Sequence, residues 1–520
     1  METNDLIKRR LEELDEIKKL GVNPYPHRFD VSTNSAEVLA NFTDPKDESE
    51  TEEQKKKIVS VAGRLMAIRR MGKASFCHIK DENGRIQIYV RQNDVGEDLY
   101  KIFKLLDIGD IIGVNGFVFR TKMGEISIHA DSFTLLTKTI QPLPVVKEEV
   151  TVTGEKIIHD AFADVELRYR QRYIDLIVND FVRDTFIKRT KIIQSIKRTL
   201  ENYNFFEVET PTLQTIYGGA NARPFVTKLK ALDLTLYLRI SNELYLKRLI
   251  VGGFNRVYEF VRDFRNEGID RTHNPEFTQV EWYQAYGDYF DSMNLFEEVV
   301  EQACIEINGK TKIEYQGVEI DFKRPWKRLK MTDSIKEHTG LDVMNMKKDE
   351  IIKYMNDKNI EFDPAMTKSK GLVVASLFEE TCEESLVQPT FIIEHPLDTT
   401  PLCKPLREYS MEQLEEMKND PEQVIFAERF EPYINKWELG NSYSELNDPI
   451  LQRKLLEEQV ERGRGGEEET HPLDEDFLRA IEVGMPPTTG VGMGVDRLVM
   501  LLTNSHTIRD VLFFPLMRPQ

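Results

Sequence analysis

The sequence predicts a small closed β-barrel followed by one large unit of mixed helices and strands. Three observations carry that prediction. Short strand patterns of period two crowd residues 59–140. Beyond residue 166, helical-period runs alternate with strand runs. The 520 residues also exceed one ordinary core, since a domain takes about 150 residues.

Hydrophobic residues make up 40% and charged residues 31%, which excludes wholesale disorder. No run approaches the roughly 20 apolar residues of a membrane span, and the opening Met1-Glu2-Thr3-Asn4-Asp5 leads into no apolar signal core. Cys77, Cys304, Cys382 and Cys403 are far apart, which excludes a disulfide framework and the common zinc knuckles. The expectation is a soluble, reduced, cytoplasmic protein with no membrane partner.

Residues 1–54 read as an N-terminal helix and linker. Leu6, Leu11, Leu14, Ile17 and Leu20 recur at helical steps, and Gly21, Pro24 and Pro26 end the run. Residues 41–53, rich in Asp, Glu, Ser and Pro, are the linker. In residues 55–140, Ile86, Ile88 and Val90 alternate with Gln87, Tyr89 and Arg91 behind the turn dipeptide Asn83-Gly84. Further strand runs at 111–118 and 125–130, with a helix at 99–106, fit a five-stranded barrel of the oligonucleotide-binding type. Gln141-Pro142-Leu143-Pro144 opens a connector, residues 141–165. Residues 166–520 form the large unit, on periodicity an α/β one. A helix at 184–203 sets Ile192, Ile193, Ile196 and Leu200 on one face, and a strand at 205–209 stops at Pro211. Strands follow at 236–240, 256–260 and 277–283, and a polar helical insertion occupies about 333–384.

The net charge of −19 argues against a nucleic-acid partner, but residues 55–140 hold 15 Lys and Arg against 9 Asp and Glu. A locally basic segment of +6 can grip a polyanion while the acidic remainder discourages indiscriminate binding. Common nucleotide motifs fail: Cys304 stands where a phosphate loop ending at Gly309-Lys310-Thr311 needs glycine. Gly490, Gly492 and Gly494 lack dinucleotide spacing.

Three separated blocks remain. They are Phe205-Phe206-Glu207-Val208-Glu209-Thr210-Pro211; Arg256 through Phe264-Arg265-Asn266-Glu267 to His273-Asn274-Pro275-Glu276-Phe277-Thr278; and Gly490-Val491-Gly492-Met493-Gly494-Val495-Asp496-Arg497. In that order they resemble motifs 1, 2 and 3 of the class II aminoacyl-tRNA synthetases. The resemblance runs from about Val59 to Pro519 and implies an α+β fold, an antiparallel catalytic sheet flanked by helices behind an OB-type barrel. It also implies ATP-dependent activation of an amino acid, a tRNA partner, Mg²⁺ and a homodimer built on the 184–203 helix and the first block.

That chemistry brings a carboxylate and a phosphate together, so a cation must bridge them. The resemblance gives this role to Arg265, whose guanidinium can bond two oxygens. Glu267, two residues on and on the same strand face, goes to the adenine and ribose end. Phe277 stacks on adenine, Arg497 covers the other face or meets the terminal phosphate, and His273 reaches the distal phosphates. Gly492 and Gly494, with Gly490, let the backbone lie close to ATP. Glu431 and Glu438 match the family's magnesium ligands. Seven apart, they fall on opposite faces of one regular strand, so the segment must bend or bulge.

A lysine substrate presents two ammonium groups and needs well-placed carboxylates. Here the positions resemble the lysine-binding residues of class II lysyl-tRNA synthetases. The resemblance assigns Gly219 and Glu243 to the α-amino group and Asn441 with Arg265 to the carboxylate. Glu281, Tyr283 and Glu445 go to the ε-ammonium, and Tyr443 to the wall. Glu281 and Tyr283, two apart, leave a strand on one side. The aspartyl and asparaginyl branch is the close rival, but its aspartate pocket needs a cation at the far end. An RNA-binding protein without activity is the rival from another class, one that has no need of an ATP and metal site. In the barrel, Phe76 and Gln87 match the residues that stack on and read the central anticodon uridine. Arg64, Arg69, Arg70 and Lys73 are expected on phosphates.

Overall fold

The computed structural model divides into two units, Met1–Ala163 and Asp164–Gln520. It describes residues 5–44, 58–144, 147–150, 156–159, 162–418, 420, 422–464 and 473–519; the expected 41–53 linker lies outside these from residue 45 on.

In the first unit, strands Ile58–Met71, Ala74–Lys80, Arg85–Arg91, Ile126–Thr137 and Ile111–Arg120 close into a barrel in that order. Ile86, Ile88 and Val90 point inward and are buried, while Gln87 and Tyr89 face out, as period two requires. Asp81 fixes the turn before them by accepting from the N–H groups of Asn83 and Gly84. Helix Glu97–Lys104 buries Tyr100 and Phe103 against this core, and helix Asp5–Lys19 adds Ile17. Within the connector, Lys147–Val150 pairs with Lys156–His159.

The second unit is built on a nine-stranded sheet. Its order is Lys327–Lys330, Thr390–Ile393, Arg429–Ile434, Gly440–Ser444, Thr488–Gly494, Glu276–Ala285, Arg256–Phe264 and Phe206–Glu207, with Trp437–Glu438 on Arg429–Ile434. The six central strands are antiparallel and parallel pairs stand only at the two edges, which makes the unit α+β and corrects the α/β reading of its periodicity. Helix Tyr289–Asn308 opens on a capping box between Asp288 and Asp291 and ends at left-handed Gly309. It covers one sheet face, packing Phe296 and Val299 among Val280, Trp282, Val491 and Met493.

Helix Asp180–Asn202 buries Ile192, Ile196 and Leu200 in that same core. Its apolar stripe is thereby used within the protomer, and Phe181 and Ile187 are its exposed large apolar residues. The expected strand at 205–209 shrinks to Phe206–Glu207. Helices Met331–Thr339, Lys348–Asp357 and Lys370–Cys382 form the insertion, whose core includes Ile392 and Tyr433 of the sheet.

Candidate active site

The other sheet face forms the floor of a cleft of about 400 Å³. Register explains why its residues meet. Glu281 lies opposite Gly492 and Tyr283 opposite Gly490; Asn441 pairs with Gly492, Tyr443 with Gly490, and Arg429 with Tyr443. Partners directly opposite share a face and alternate residues repeat it. Gly219, Glu243, Arg265, Glu267, His273, Phe277, Glu281, Tyr283, Glu438, Asn441, Tyr443, Gly490, Gly492, Gly494 and Arg497 all line this cleft. Glu431 and Glu445 do not belong to the lining.

Glu281 is 3% exposed and accepts from Ser241 Oγ (3.1 Å), Gln279 Nε2 (2.8 Å) and the Tyr283 hydroxyl (3.2 Å), all neutral donors. Burial, with the charges of Asp263 and Glu243, pushes its carboxyl well above the usual carboxylate range. Asp263, whose buried oxygens have no hydrogen-bond partner, is pushed by burial up to about 7. A buried carboxylate facing a cleft with only neutral donors is a seat for a cation. Gly219, at φ +86°, turns the chain where a Cβ would come within 2.8 Å of Ser241 Oγ.

Glu445 departs from expectation. It is outside the cleft lining, beside Gly490 and Tyr283, with Oε2 2.5 Å from the buried Lys247 ammonium, which also holds Glu243 Oε1 at 2.6 Å. The carboxylates at 243 and 445 are therefore partly neutralised from within, and Glu281 alone of the three lacks an internal cation. Lys247 escaped sequence reading, although a lysine four residues after Glu243 in an apolar helix was its signal.

Arg265 and Glu267 do not share a strand face. The Arg256–Phe264 ladder ends with Phe264 opposite Glu276, and Arg265 N–H makes one last bond to Pro275 O at 2.9 Å. Pro275 has no N–H to return, so both residues sit in a loop over the cleft. Arg265 Cζ lies 5.2 Å from the centre of the Phe277 ring, covering one face of it, and its buried Nε has no hydrogen-bond partner. Arg497 Nη2 lies 2.9 Å from His273 Nε2, and His273 Nδ1 lies 2.7 Å from Asp270 Oδ2. With arginine a pure donor and carboxylate a pure acceptor, the chemistry assigns the proton to Nδ1. Asp270 falls to about 2, burial being outweighed by the N–H groups of Thr272 and His273 and by the His273 ring. A Cβ at Gly492 would press on Gln279 Nε2 at 2.9 Å, whereas one at Gly494 would meet nothing nearer than 3.6 Å.

Glu431 and Glu438 come together through a hairpin and not a bulge. Asn435 and Lys436, both at positive φ, form its two-residue turn, which sets Glu438 opposite Tyr433 and so on the face of Glu431. Arg429, also missed from sequence, holds Glu431 Oε1 (2.5 Å), Thr399 Oγ1 (2.7 Å) and Asn441 Oδ1 (2.9 Å). Tyr433 lies 2.9 Å from Glu431 Oε2. Burial works against the Glu431 charge, but the His395 ring, Arg429 and Tyr433 hold it below the usual range; burial and Glu431 push Glu438 up to about 7. Among the described residues no three His, Cys, Asp or Glu side chains could hold a metal together. Two carboxylates on one face, one in the cleft, fit a magnesium ion that arrives with phosphate oxygens.

In the barrel, Phe76 and Tyr89 are directly paired with ring centres 4.9 Å apart, on an outward face that continues to His129. Gln87 donates to Glu125 Oε2 (2.6 Å) and accepts from Ser127 (2.8 Å). Arg64 Nη1 donates to Gly109 O at 2.8 Å and Arg70 Nη2 to Leu106 O at 2.7 Å, so both are engaged with the barrel's own backbone. No described helix is long and apolar enough to cross a membrane.

A family model of class II tRNA synthetases (D, K and N) matches residues 164–518, and one of the OB-fold nucleic acid binding domain matches residues 59–136. A protein of Pelotomaculum thermopropionicum named lysine–tRNA ligase is 49% identical over 99% of this chain and 96% of its own. One so named from Porphyromonas gingivalis is 48% identical over 98% and 85%, and one from Carboxydothermus hydrogenoformans 47% over 100% and 99%.

Proposed function

The chain belongs to the class II tRNA synthetases of the D, K and N group, and from that premise we propose that it is a lysine–tRNA ligase. It activates L-lysine with ATP to lysyl-adenylate and diphosphate, then passes the lysyl group to the 3′ end of tRNA(Lys). The observation that carries the lysine choice is Glu281, a buried carboxylate in the cleft with neutral donors alone. An ammonium about 4 Å away gains roughly 4 kcal/mol at an effective dielectric near 20. An aspartate side chain there would meet repulsion from Glu281.

On this reading Glu281, Tyr283 and Glu445 receive the ε-ammonium, Glu243 and Gly219 the α-ammonium, and Asn441 and Arg265 the carboxylate, with Tyr443 as wall. Arg429, by taking Asn441 Oδ1, leaves the amide NH₂ to donate. Arg265 bridges the lysine carboxylate and the α-phosphate and stabilises charge building at phosphorus. Glu267 and Phe277 take the nucleoside, and His273 and Arg497 the distal phosphates. Glu438 and Glu431 would hold Mg²⁺, which would neutralise phosphate charge.

The 55–140 barrel would bind the anticodon through Phe76 and Gln87, with residues 1–54, 141–165 and 166–520 as N-terminal helix and linker, connector and catalytic domain. Arg64 would serve there through the backbone it braces. Exposed Phe181 and Ile187 support a homodimer contact by their helix. Four free, buried cysteines suit the cytoplasm. The test is ATP–diphosphate exchange with each of the amino acids in turn: exchange with lysine and none with aspartate or asparagine is expected, and exchange with either of the latter would overturn the assignment.

A further inference from the structure

Lys247 has no task in the reading above, yet its side chain is fully buried beneath the amino-acid end of the cleft. It lies on helix Glu243–Val251, with its ammonium 5.5 Å from the Tyr443 ring centre and 5.9 Å from that of Phe477. Burying an ammonium is costly unless carboxylates compensate it. Here burial favours the neutral amine, but Glu243 and Glu445 outweigh it and keep Lys247 charged.

The contacts are one-sided on both partners. Glu243 Oε1 takes Lys247 Nζ and the Tyr443 hydroxyl, each at 2.6 Å, so the hydrogen bonds to this carboxylate from described residues end on one oxygen. Oε2 is left for the cleft that Glu243 lines. Glu445 sets Oε2 in an ion pair with Lys247; among the described residues neither of its buried oxygens has a hydrogen-bond partner, and Oε1 has no ion-pair partner either. That Oε1 lies on the cleft face of the sheet, since a Cβ on Gly490 would stand 2.3 Å from it, as close as it would stand to the Tyr283 ring. With Glu243, Glu281 and Glu445 ionised and Lys247 charged, this end of the site carries a net charge of −2, which two substrate ammonium groups balance.

We propose that Lys247 is a positioning and specificity residue of the amino-acid pocket: by holding one oxygen of Glu243 and one of Glu445, it aims the other oxygen of each at the two ammonium groups of the substrate. The proposal rests on the lysine reading, because only a doubly cationic amino acid completes the charge balance. Lys247 touches no substrate and acts through the two glutamates. The other titratable groups around it and its partners are Tyr443, Tyr283, Cys403 and Lys404.

The test is ATP–diphosphate exchange on the full chain, with lysine and ATP varied separately, for wild type, Lys247→Met, Glu445→Gln and the double variant. Lys247→Met should raise the lysine KM at least about 100-fold, or about 2.8 kcal/mol at 1.4 kcal/mol per tenfold, with the ATP KM within about threefold. The two losses should fail to multiply in the double variant, because both act on one charge network. A lysine KM near wild type, a parallel rise in both KM values, or losses that multiply would each overturn the role. Should Lys247→Met not fold, the double variant is compared with Glu445→Gln alone. A further rise of about tenfold in lysine KM is then expected, since Glu243 has lost its clamp, and no rise overturns the proposal. Wild type lacking lysine-dependent exchange would overturn the lysine reading itself, and the proposal with it; wild-type exchange that is indifferent to residue 247 overturns this proposal alone.

Discussion

Replacing Glu281 by Gln keeps the shape and hydrogen-bonding capacity of the side chain and removes only its charge. With burial at 97%, neutral donors on both oxygens and an ammonium about 4 Å away, the ion pair is worth roughly 4 kcal/mol, of which an amide dipole recovers a part. A loss of about 3 kcal/mol corresponds to a fall of about 150-fold in kcat/KM for lysine, with the ATP KM unchanged. The same change should stabilise the enzyme without substrate. A carboxyl raised in the folded state holds a proton there that the unfolded chain has released, so stability falls as pH rises through that window. Asp263, raised to about 7, and Glu445, raised to about 8, add to the same fall. Thermal melting at pH 6 to 9, with and without lysine, and exchange kinetics read both effects. Lysine affinity of the wild type should grow with pH as Glu281 ionises, and that growth should flatten in Glu281→Gln. A fall in lysine kcat/KM of less than about tenfold, or a variant that melts lower than wild type at pH 8 without lysine, would refute the reasoning.

Further outcomes follow from the same geometry. Arg265→Ala should cut exchange at least about 100-fold, whereas Phe76→Ala should spare exchange and raise the tRNA KM by about 5- to 150-fold, one stacked base being worth about 1–3 kcal/mol. A loss of exchange in Phe76→Ala as large as its loss of tRNA charging would contradict the division of labour between the two units. Gly490→Ala puts a Cβ 2.3 Å from Glu445 Oε1 and the Tyr283 ring, so the lysine KM should rise at least about tenfold while the ATP KM holds. Glu438→Gln should raise the Mg²⁺ needed for half-maximal exchange by about 10- to 100-fold, read by titration at fixed ATP. Arg429→Lys keeps the charge but cannot hold Glu431, Asn441 and Thr399 at once, so lysine and Mg²⁺ requirements should rise together in a two-substrate exchange assay.

What the sequence revealed of the site follows how locally each feature is encoded. Glu281 and Tyr283 are two residues apart in a strand that stays regular to Ala285, so period two placed them on one face correctly. The same rule failed for Arg265 and Glu267 because Pro275, just before the neighbouring strand, ends the ladder one residue too soon. It failed for Glu431 and Glu438 because the turn between them uses Asn435 and Lys436, where a glycine would have announced it. Lys247 and Arg429 were hidden for another reason: a basic residue in a helix or strand reads as a solvated face until its partners are known, and those partners lie up to 198 positions away, at Glu445. For Arg64 and Arg70 the hidden partners are backbone carbonyls of Gly109 and Leu106, which leave no trace in composition.

The site's two halves are therefore coupled by more than proximity. Four neighbouring strands present alternate residues to one cleft floor, so the pocket around Glu281 and the hairpin carrying Glu438 share a single rigid surface. Arg429 ties that surface together, one guanidinium bonding both the amide expected on the lysine carboxylate and the glutamate beside the phosphate site. A reaction that joins a carboxylate to a phosphate needs those two groups held in line, and the barrier falls most when neither has to be searched for. Placing Glu281, Tyr283, Asn441 and Glu438 on hydrogen-bonded strands serves that requirement through backbone register, while Arg265 reaches the same cleft from the loop that follows its strand.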